Sequence, residues 1–157
     1  KTFLLQSITG TKEFFHKLRI NAMIKKLSHV GIAVKDIKAS TKLYSKLFQI
    51  DNVSNEEVAD QQVRIALFHL GGASIELTEA SAPDSPIAKF IEKRGEGVHH
   101  LSFEVDDLRA ELARLKSENF QLIDEQPRRG AGGYWIAFIH PKSTNGVLVE
   151  ICQKMDE

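Results

Sequence analysis

The chain has 157 residues, of which 42% are hydrophobic and 27% are charged, a composition typical of a soluble globular protein. Basic and acidic residues both number 21, so the formal charge is zero and nothing favours a nucleic-acid or membrane-surface partner. No apolar run approaches the ~20 residues that cross a bilayer, and the single cysteine, Cys152, cannot form an internal disulfide. We therefore expect a cytoplasmic protein.

The first 22 residues differ in composition from the rest of the chain. They are basic, with Glu13 as the one acid, and Phe14, Phe15 and Leu18 form a weak apolar stripe. The composition of these residues matches that of a transit peptide only in part. We interpret residues 1–22 as an N-terminal extension before a natural start at Met23, and residues 23–157 as the folded domain.

The first half of the domain alternates between strand and helix signals. Asp36 stands at a helix N-cap position, and Gly71-Gly72 is a hairpin turn. Apolar periodicity predicts strands at 27–34, 63–70 and 73–78, a helix at 37–47 and a faint strand near 53–58.

The second half repeats this order after a linker, residues 81–97, that holds a short helix at 87–93. Asp107 is the second N-cap, and turns are expected at 130–133 and 141–146. Strands are predicted at 98–105, 134–139 and 147–151, with a helix from 108 to about 118.

One offset relates the two halves. His29 matches His100 and Asp36 matches Asp107, both 71 residues later. Glu76 and Glu150 each follow a glycine by four residues inside an apolar strand, at an offset of 74. The chain is therefore predicted to hold two similar modules, about 26–80 and about 98–153, each a strand, a helix and then three strands.

His29, Glu76, His100 and Glu150 recur at matching places in the two modules. A buried carboxylate is costly unless it is paired or bound to metal. Two imidazoles and two carboxylates that converge on one point make a divalent-metal site, which suits Zn, Co, Ni, Mn or Fe(II) better than Ca or Mg. Strand alternation turns His99 to the other face, so His100 is chosen as the ligand. His16, His69 and His140 have no repeat partner and are not expected to be ligands.

From about residue 26 to 153 the chain resembles the methylmalonyl-CoA epimerases, within the glyoxalase and vicinal-oxygen-chelate superfamily. The stretches that carry the resemblance are LSHVGIAVKD, GGASIELTE, DSPIAKFIEKRGEGVHHLSFEVDDL, PRRGAGG and FIHPKSTNGVLVEI. The resemblance implies an α+β fold in which two paired βαβββ modules form an open, barrel-like cleft around one metal ion. It also implies that His29, Glu76, His100 and Glu150 are the ligands.

An acyl-CoA is the substrate that the resemblance implies. The proton between a thioester carbonyl and a carboxylate would be removed and returned on the other face. Glu76 and Glu150 occupy pseudo-symmetric positions and are the candidate acid-base groups. Some epimerases have a separate glutamate on the preceding strand, but here that strand, VRIALFHL, contains no acid.

Coenzyme A carries phosphates, which arginine and lysine bind well. Arg128, Arg129 and Lys142 lie in predicted turns beside cleft strands and are the candidates for holding it. We also expect a homodimer.

Three other functions of this fold compete. Glyoxalase I uses a similar metal set but binds glutathione. A ring-cleaving dioxygenase would use Fe(II) held by two histidines and one glutamate, which leaves Glu76 unexplained. A non-catalytic drug-binding protein would need no metal, and the four candidate ligands argue against it.

Overall fold

Two runs of strand, helix and three strands build one mixed sheet. The computed structural model describes residues 24–156, so the N-terminal extension lies outside the described residues. The first run holds β1 (Ile24–Ala33), α1 (Ile37–Phe48), β2 (Ser54–Val58), β3 (Val63–His69) and β4 (Ser74–Ala80). After α2 (Pro86–Arg94) the second run holds β5 (Gly97–Val105), α3 (Leu108–Ser117), β6 (Arg128–Arg129), β7 (Tyr134–Ile139) and β8 (Val149–Lys154).

The predicted helix starts are confirmed. Asp36 accepts a hydrogen bond from the backbone N–H of Ala39, and Asp107 accepts one from Ala110, at 3.0 and 2.9 Å. Each aspartate thereby satisfies a backbone donor that the first helical turn leaves free. Between residues 24 and 156 the structure also contains three 3₁₀ turns, at Ala59–Gln61, Ala131–Gly133 and Pro141–Ser143.

The eight strands follow the order β2-β3-β4-β1-β5-β8-β7-β6. The two runs meet where β1 pairs with β5 in antiparallel orientation, and β4 and β8 flank this pair in parallel. The register is equivalent on both sides, since Gly31 faces Glu76 and Ser102 faces Glu150. This arrangement is the predicted glyoxalase-type α+β fold.

The helices α1 and α3 cover one face of the sheet, but unequally. Leu108, Leu112 and Leu115 of α3 are buried against Ile139 and Ile151. No residue of α1 is fully buried, although Tyr44 and Phe48 pack on Phe68. No helix within 24–156 has the length and apolar character to cross a membrane.

One local expectation is wrong. Arg128 and Arg129 do not lie in a turn but form β6, a two-residue strand paired with Ile136 and Trp135 of β7. The run is too short to show any alternation in the sequence, and its strand conformation depends on β7.

Candidate metal centre

The four predicted ligands come from the four central strands. His29 lies on β1, Glu76 on β4, His100 on β5 and Glu150 on β8. All four line a cavity of about 810 Å³ on one face of the sheet. The equivalent registers of the two halves therefore bring one histidine and one glutamate from each half to a common point.

Distances at this point are short. The Nε2 atoms of His29 and His100 are 2.9 Å apart. His29 Nε2 lies 3.6 Å from Glu150 Oε1 and 3.9 Å from Glu76 Oε2. Possible ligand atoms of His29, His100 and Glu150 all lie within 4.8 Å of one another. Glu76 is not part of this group of three, but its carboxylate adjoins the group at His29.

Both carboxylates are removed from water. The side chains of Glu76 and Glu150 are 12% and 6% exposed. Each has one hydroxyl donor: Thr78 donates to Glu76 at 3.2 Å, and Ser102 donates to Glu150 at 2.7 Å. Burial raises the pKa of Glu76 to about 7 and, together with the charge of Glu76, raises the pKa of Glu150 to about 8.

The two imidazoles are neutral at physiological pH. Burial lowers the pKa of His29 to about 4 and lowers that of His100 well below its usual value. A neutral imidazole keeps one nitrogen lone pair, which is the form that binds metal ions.

This donor set fits a divalent cation. Two nitrogens bound to one ion at ~2.1 Å each come to lie ~3 Å apart, close to the spacing seen here. Among residues 24–156, no lysine or arginine forms an ion pair with Glu76 or Glu150. Two adjacent buried carboxylates lack a protein counter-charge, and a cation would supply it.

The expectation that His99 faces away from the cavity is wrong. Its Nδ1 atom is 3.0 Å from Nδ1 of His100, and its ring lines the same cavity. The cause is a register shift in β5, where Gly31 faces His100 but Ile32 faces Val98. His99 is the extra residue of a β-bulge, which interrupts the alternation of side chains.

The three basic residues proposed for coenzyme A do not lie together. Arg128 lines the cavity, with its guanidinium 5.3 Å from the ring centre of Phe138 and its Nε 3.2 Å from Asp124. Arg129 lies 5.8 Å from the ring centre of Trp135, on the opposite face of β6. Within the described chain, Arg129 and Lys142 are not part of the cavity lining.

The other histidines occupy separate places. His69 lies at the cavity rim and pairs with Ser74 at 3.1 Å, whereas His140 accepts a hydrogen bond from the backbone N–H of Lys142. His16 falls outside the described residues. Ser102 and Thr78 were not predicted from the sequence. Each lies two residues from a candidate ligand on the same strand face, so strand alternation could have indicated them.

Comparison with known proteins identifies the family to which the chain belongs. The family described as Glyoxalase/Bleomycin resistance protein/Dioxygenase superfamily matches residues 28–138. The mitochondrial methylmalonyl-CoA epimerase of Dictyostelium discoideum is 38% identical over 83% of this chain and 80% of its own length. The ethylmalonyl-CoA/methylmalonyl-CoA epimerase of Cereibacter sphaeroides is 36% identical over 83% of this chain and 99% of its own.

A solved structure supports the same assignment. The crystal structure of methylmalonyl-CoA epimerase from Mycobacterium tuberculosis superimposes with a TM-score of 0.81 at 38% identity, covering 85% of this chain and 90% of that one. The sheet order, the paired runs and these similarities agree. The chain belongs to the glyoxalase/bleomycin resistance protein/dioxygenase superfamily and, within it, to the methylmalonyl-CoA epimerase family.

Proposed function

We propose that this protein is a metal-dependent epimerase that interconverts the stereoisomers of methylmalonyl-CoA. The observation that carries the proposal is the pair of buried carboxylates, Glu76 and Glu150, on either side of His29 in one cavity. The activity printed for the relatives from Dictyostelium and Cereibacter supports the acyl-CoA substrate.

The ligand set that we propose is His29, Glu76, His100 and Glu150, holding one divalent ion. Its two nitrogens and two carboxylates suit Co, Zn, Ni or Mn. When bound, such an ion supplies Lewis-acid stabilisation of the negative charge that develops on the thioester oxygen.

Proton transfer is assigned to the two glutamates. Epimerisation removes the proton from the carbon between the thioester and the carboxylate, and then returns one on the other face. Glu76 on β4 and Glu150 on β8 flank the β1–β5 pair from opposite sides. The pKa values of Glu76 and Glu150, about 7 and about 8, suit groups that must both accept and donate a proton near neutral pH.

The coenzyme A part of the substrate needs its own contacts with the protein. We propose that Arg128, Arg129 and Lys142 bind coenzyme A. Arg128 lies in the cavity, where it could meet the acyl end of the molecule, while the other two could meet phosphates outside it.

Metal content and solvent exchange test the proposal together. Purified protein should contain about one divalent ion per chain and should incorporate deuterium at the 2-carbon of methylmalonyl-CoA in heavy water. Chelation should stop the exchange, and His100→Ala should remove the metal. Metal-loaded protein that exchanges no deuterium contradicts the epimerase, and full metal content in His100→Ala contradicts the ligand set.

Two further expectations from the sequence remain predictions. Light scattering of the purified protein tests the homodimer. Cell fractionation tests the cytoplasmic location.

A further inference from the structure

Each histidine of the metal centre has a polar neighbour one residue earlier in the chain. His29 Nδ1 is 3.5 Å from the hydroxyl of Ser28, at the outer limit of a hydrogen bond. His100 Nδ1 is 3.0 Å from Nδ1 of His99, a normal hydrogen-bond distance. Ser28 and His99 are equivalent under the 71-residue offset, so the two halves support their candidate ligands by different means.

The β-bulge makes the contact between His99 and His100 possible. Consecutive residues of a regular strand point to opposite faces, and the bulge at His99 removes this constraint. The half-buried His99 ring is held edge-on against Phe90, with ring centres 4.9 Å apart. Packing against α2 thus fixes the ring from one side, while its Nδ1 atom meets His100.

The ring of His100 is confined by its other neighbours as well. Gly31 lies so close that a Cβ atom there would overlap the imidazole. Phe138 meets the ring edge-on at 5.6 Å between centres. These two contacts restrict where the ring lies but carry no preference for which nitrogen holds the proton.

A neutral imidazole carries its single proton on one nitrogen. If Nε2 of His100 faces the ion, the proton must be on Nδ1, which then needs an acceptor. Within residues 24–156, the atom at hydrogen-bond distance from His100 Nδ1 is Nδ1 of His99. A histidine can accept there if its own proton is on Nε2.

We propose that His99 is a positioning residue: its Nδ1 atom accepts the Nδ1–H of His100 and so leaves Nε2 of His100 unprotonated and directed at the metal. This role rests on the proposed metal site and adds to it a fifth side chain, which does not touch the ion. The Ser28 hydroxyl gives His29 a weaker form of the same support.

Three variants and the unmodified protein separate this role from packing. His99→Phe keeps an aromatic ring against Phe90 but has no acceptor. His99→Asn loses the ring but retains an acceptor oxygen. His69→Phe removes a histidine from the rim of the same cavity and is the matched control.

Calorimetric titration of each metal-free protein with Zn²⁺ measures the affinity. We expect His99→Phe to bind ~10–100-fold more weakly, the usual effect of losing a hydrogen-bond partner of a ligand. His99→Asn should stay within about 3-fold of the unmodified protein because the acceptor is retained. His69→Phe should be unchanged.

Nuclear magnetic resonance of ¹⁵N-histidine protein saturated with Zn²⁺ provides a direct signature. The unmodified protein and His99→Asn should show a proton on His100 Nδ1 that exchanges slowly with water. In His99→Phe this proton should exchange fast. Saturation with metal keeps this measurement valid even if the affinity falls.

The outcomes are distinct. Unchanged affinity with a slowly exchanging proton in His99→Phe overturns the positioning role alone. Equal losses in His99→Phe and His99→Asn reduce His99 to a packing residue and also overturn it. An unmodified protein that binds no divalent metal overturns the proposed metal-dependent function, and the positioning role with it.

Discussion

At the scale of single residues, the centre combines groups that burial keeps uncharged. His29 and His100 are held neutral, and burial opposes ionisation of Glu76 and Glu150. The cluster therefore presents nitrogen lone pairs together with carboxylates that ionise when a cation arrives. Metal binding should release protons for this reason.

The first prediction concerns the two glutamates. Glu76→Gln and Glu150→Gln each keep an oxygen that can reach the metal but remove an acid-base group. With metal restored, epimerisation should fall by ~10²–10⁴-fold in each variant, the typical effect of losing a general base. Deuterium exchange should persist from one stereoisomer in each, and the stereoisomer should differ between the two variants.

Assays that start from each pure stereoisomer, are quenched at set times and are analysed by mass spectrometry measure the rates of epimerisation and of deuterium exchange. Near-normal epimerisation by both metal-saturated variants would show that the glutamates are ligands only. In that case a water molecule must move the proton.

A second prediction concerns Gly31. A Cβ atom at this position meets the ring of His100, so Gly31→Ala must displace the imidazole or the strand. We expect a loss of ~1–3 kcal/mol of stability, as for other overpacked sites, together with weaker metal binding. Gly72→Ala is the control, because a Cβ there meets nothing within 4 Å. Equal behaviour of the two variants in thermal unfolding and Zn²⁺ titration contradicts the close approach.

The third prediction concerns the coenzyme A contacts. Replacing Arg129 and Lys142 by glutamine should raise KM more than it lowers kcat, because phosphate contacts far from the reacting carbon bind substrate and transition state alike. The salt dependence of KM should also weaken. A KM that keeps its value and its salt dependence would remove these residues from the nucleotide site.

At the scale of elements, the helices α1 and α3 differ in how much of their apolar surface is buried against the sheet. Leu112 of α3 is 4% exposed, whereas Leu43 of α1 is 63% exposed. Both helices begin at an aspartate cap with the same geometry, so their difference arises from packing.

Thermal or urea unfolding tests this difference. Leu112→Ala should cost ~2–5 kcal/mol, the usual range for a buried leucine. Leu43→Ala should change stability by no more than ~0.5 kcal/mol, because the side chain remains in water. A large loss in Leu43→Ala would mean that the outer face of α1 is covered in solution.

The elements also show what the sequence could and could not predict. The aspartate caps and the 71-residue offset are local or repeated signals, and they led directly to the helix starts and to the pairing of His29 with His100. The orientation of His99 depends on how β5 registers against β1, which no pattern within β5 reveals. The strand β6 likewise exists only through its pairing with β7.

At the scale of the whole molecule, the buried ionisable groups make stability depend on pH. The unfolded carboxylates titrate near 4.5, whereas the folded values for Glu76 and Glu150 are about 7 and 8. Between pH 6.5 and 8 the unfolded state therefore binds fewer protons than the folded state, and stability falls as pH rises. Below about pH 6.5 the depressed pKa values of His29, His99 and His100 act in the opposite sense and outweigh the two carboxylates, because each unfolded histidine binds a proton that its folded counterpart does not bind.

The fifth prediction follows for the metal-free protein. It should be most stable near pH 6.5 and lose on the order of 2 kcal/mol by pH 8. Saturation with Zn²⁺ should abolish the alkaline loss, since the ion stabilises the charged carboxylates. It should also add ~2.7 kcal/mol at 100 times the Kd. Urea unfolding at several pH values, with metal and with a chelator, measures this; a flat profile without metal contradicts the raised carboxylate pKa values.

The pairing of β1 with β5 has a consequence for the kinetics of folding. Half of the centre belongs to each run of the chain, and His29 and His100 are 71 residues apart in sequence. Helices form within microseconds, but bringing these two strands together requires closure of a long loop, which is slow. The time at which a refolding chain binds the metal ion should therefore report when β1 and β5 pair. A fluorescent indicator of free Zn²⁺ would change only when the two halves have met, after most of the helical signal has already returned.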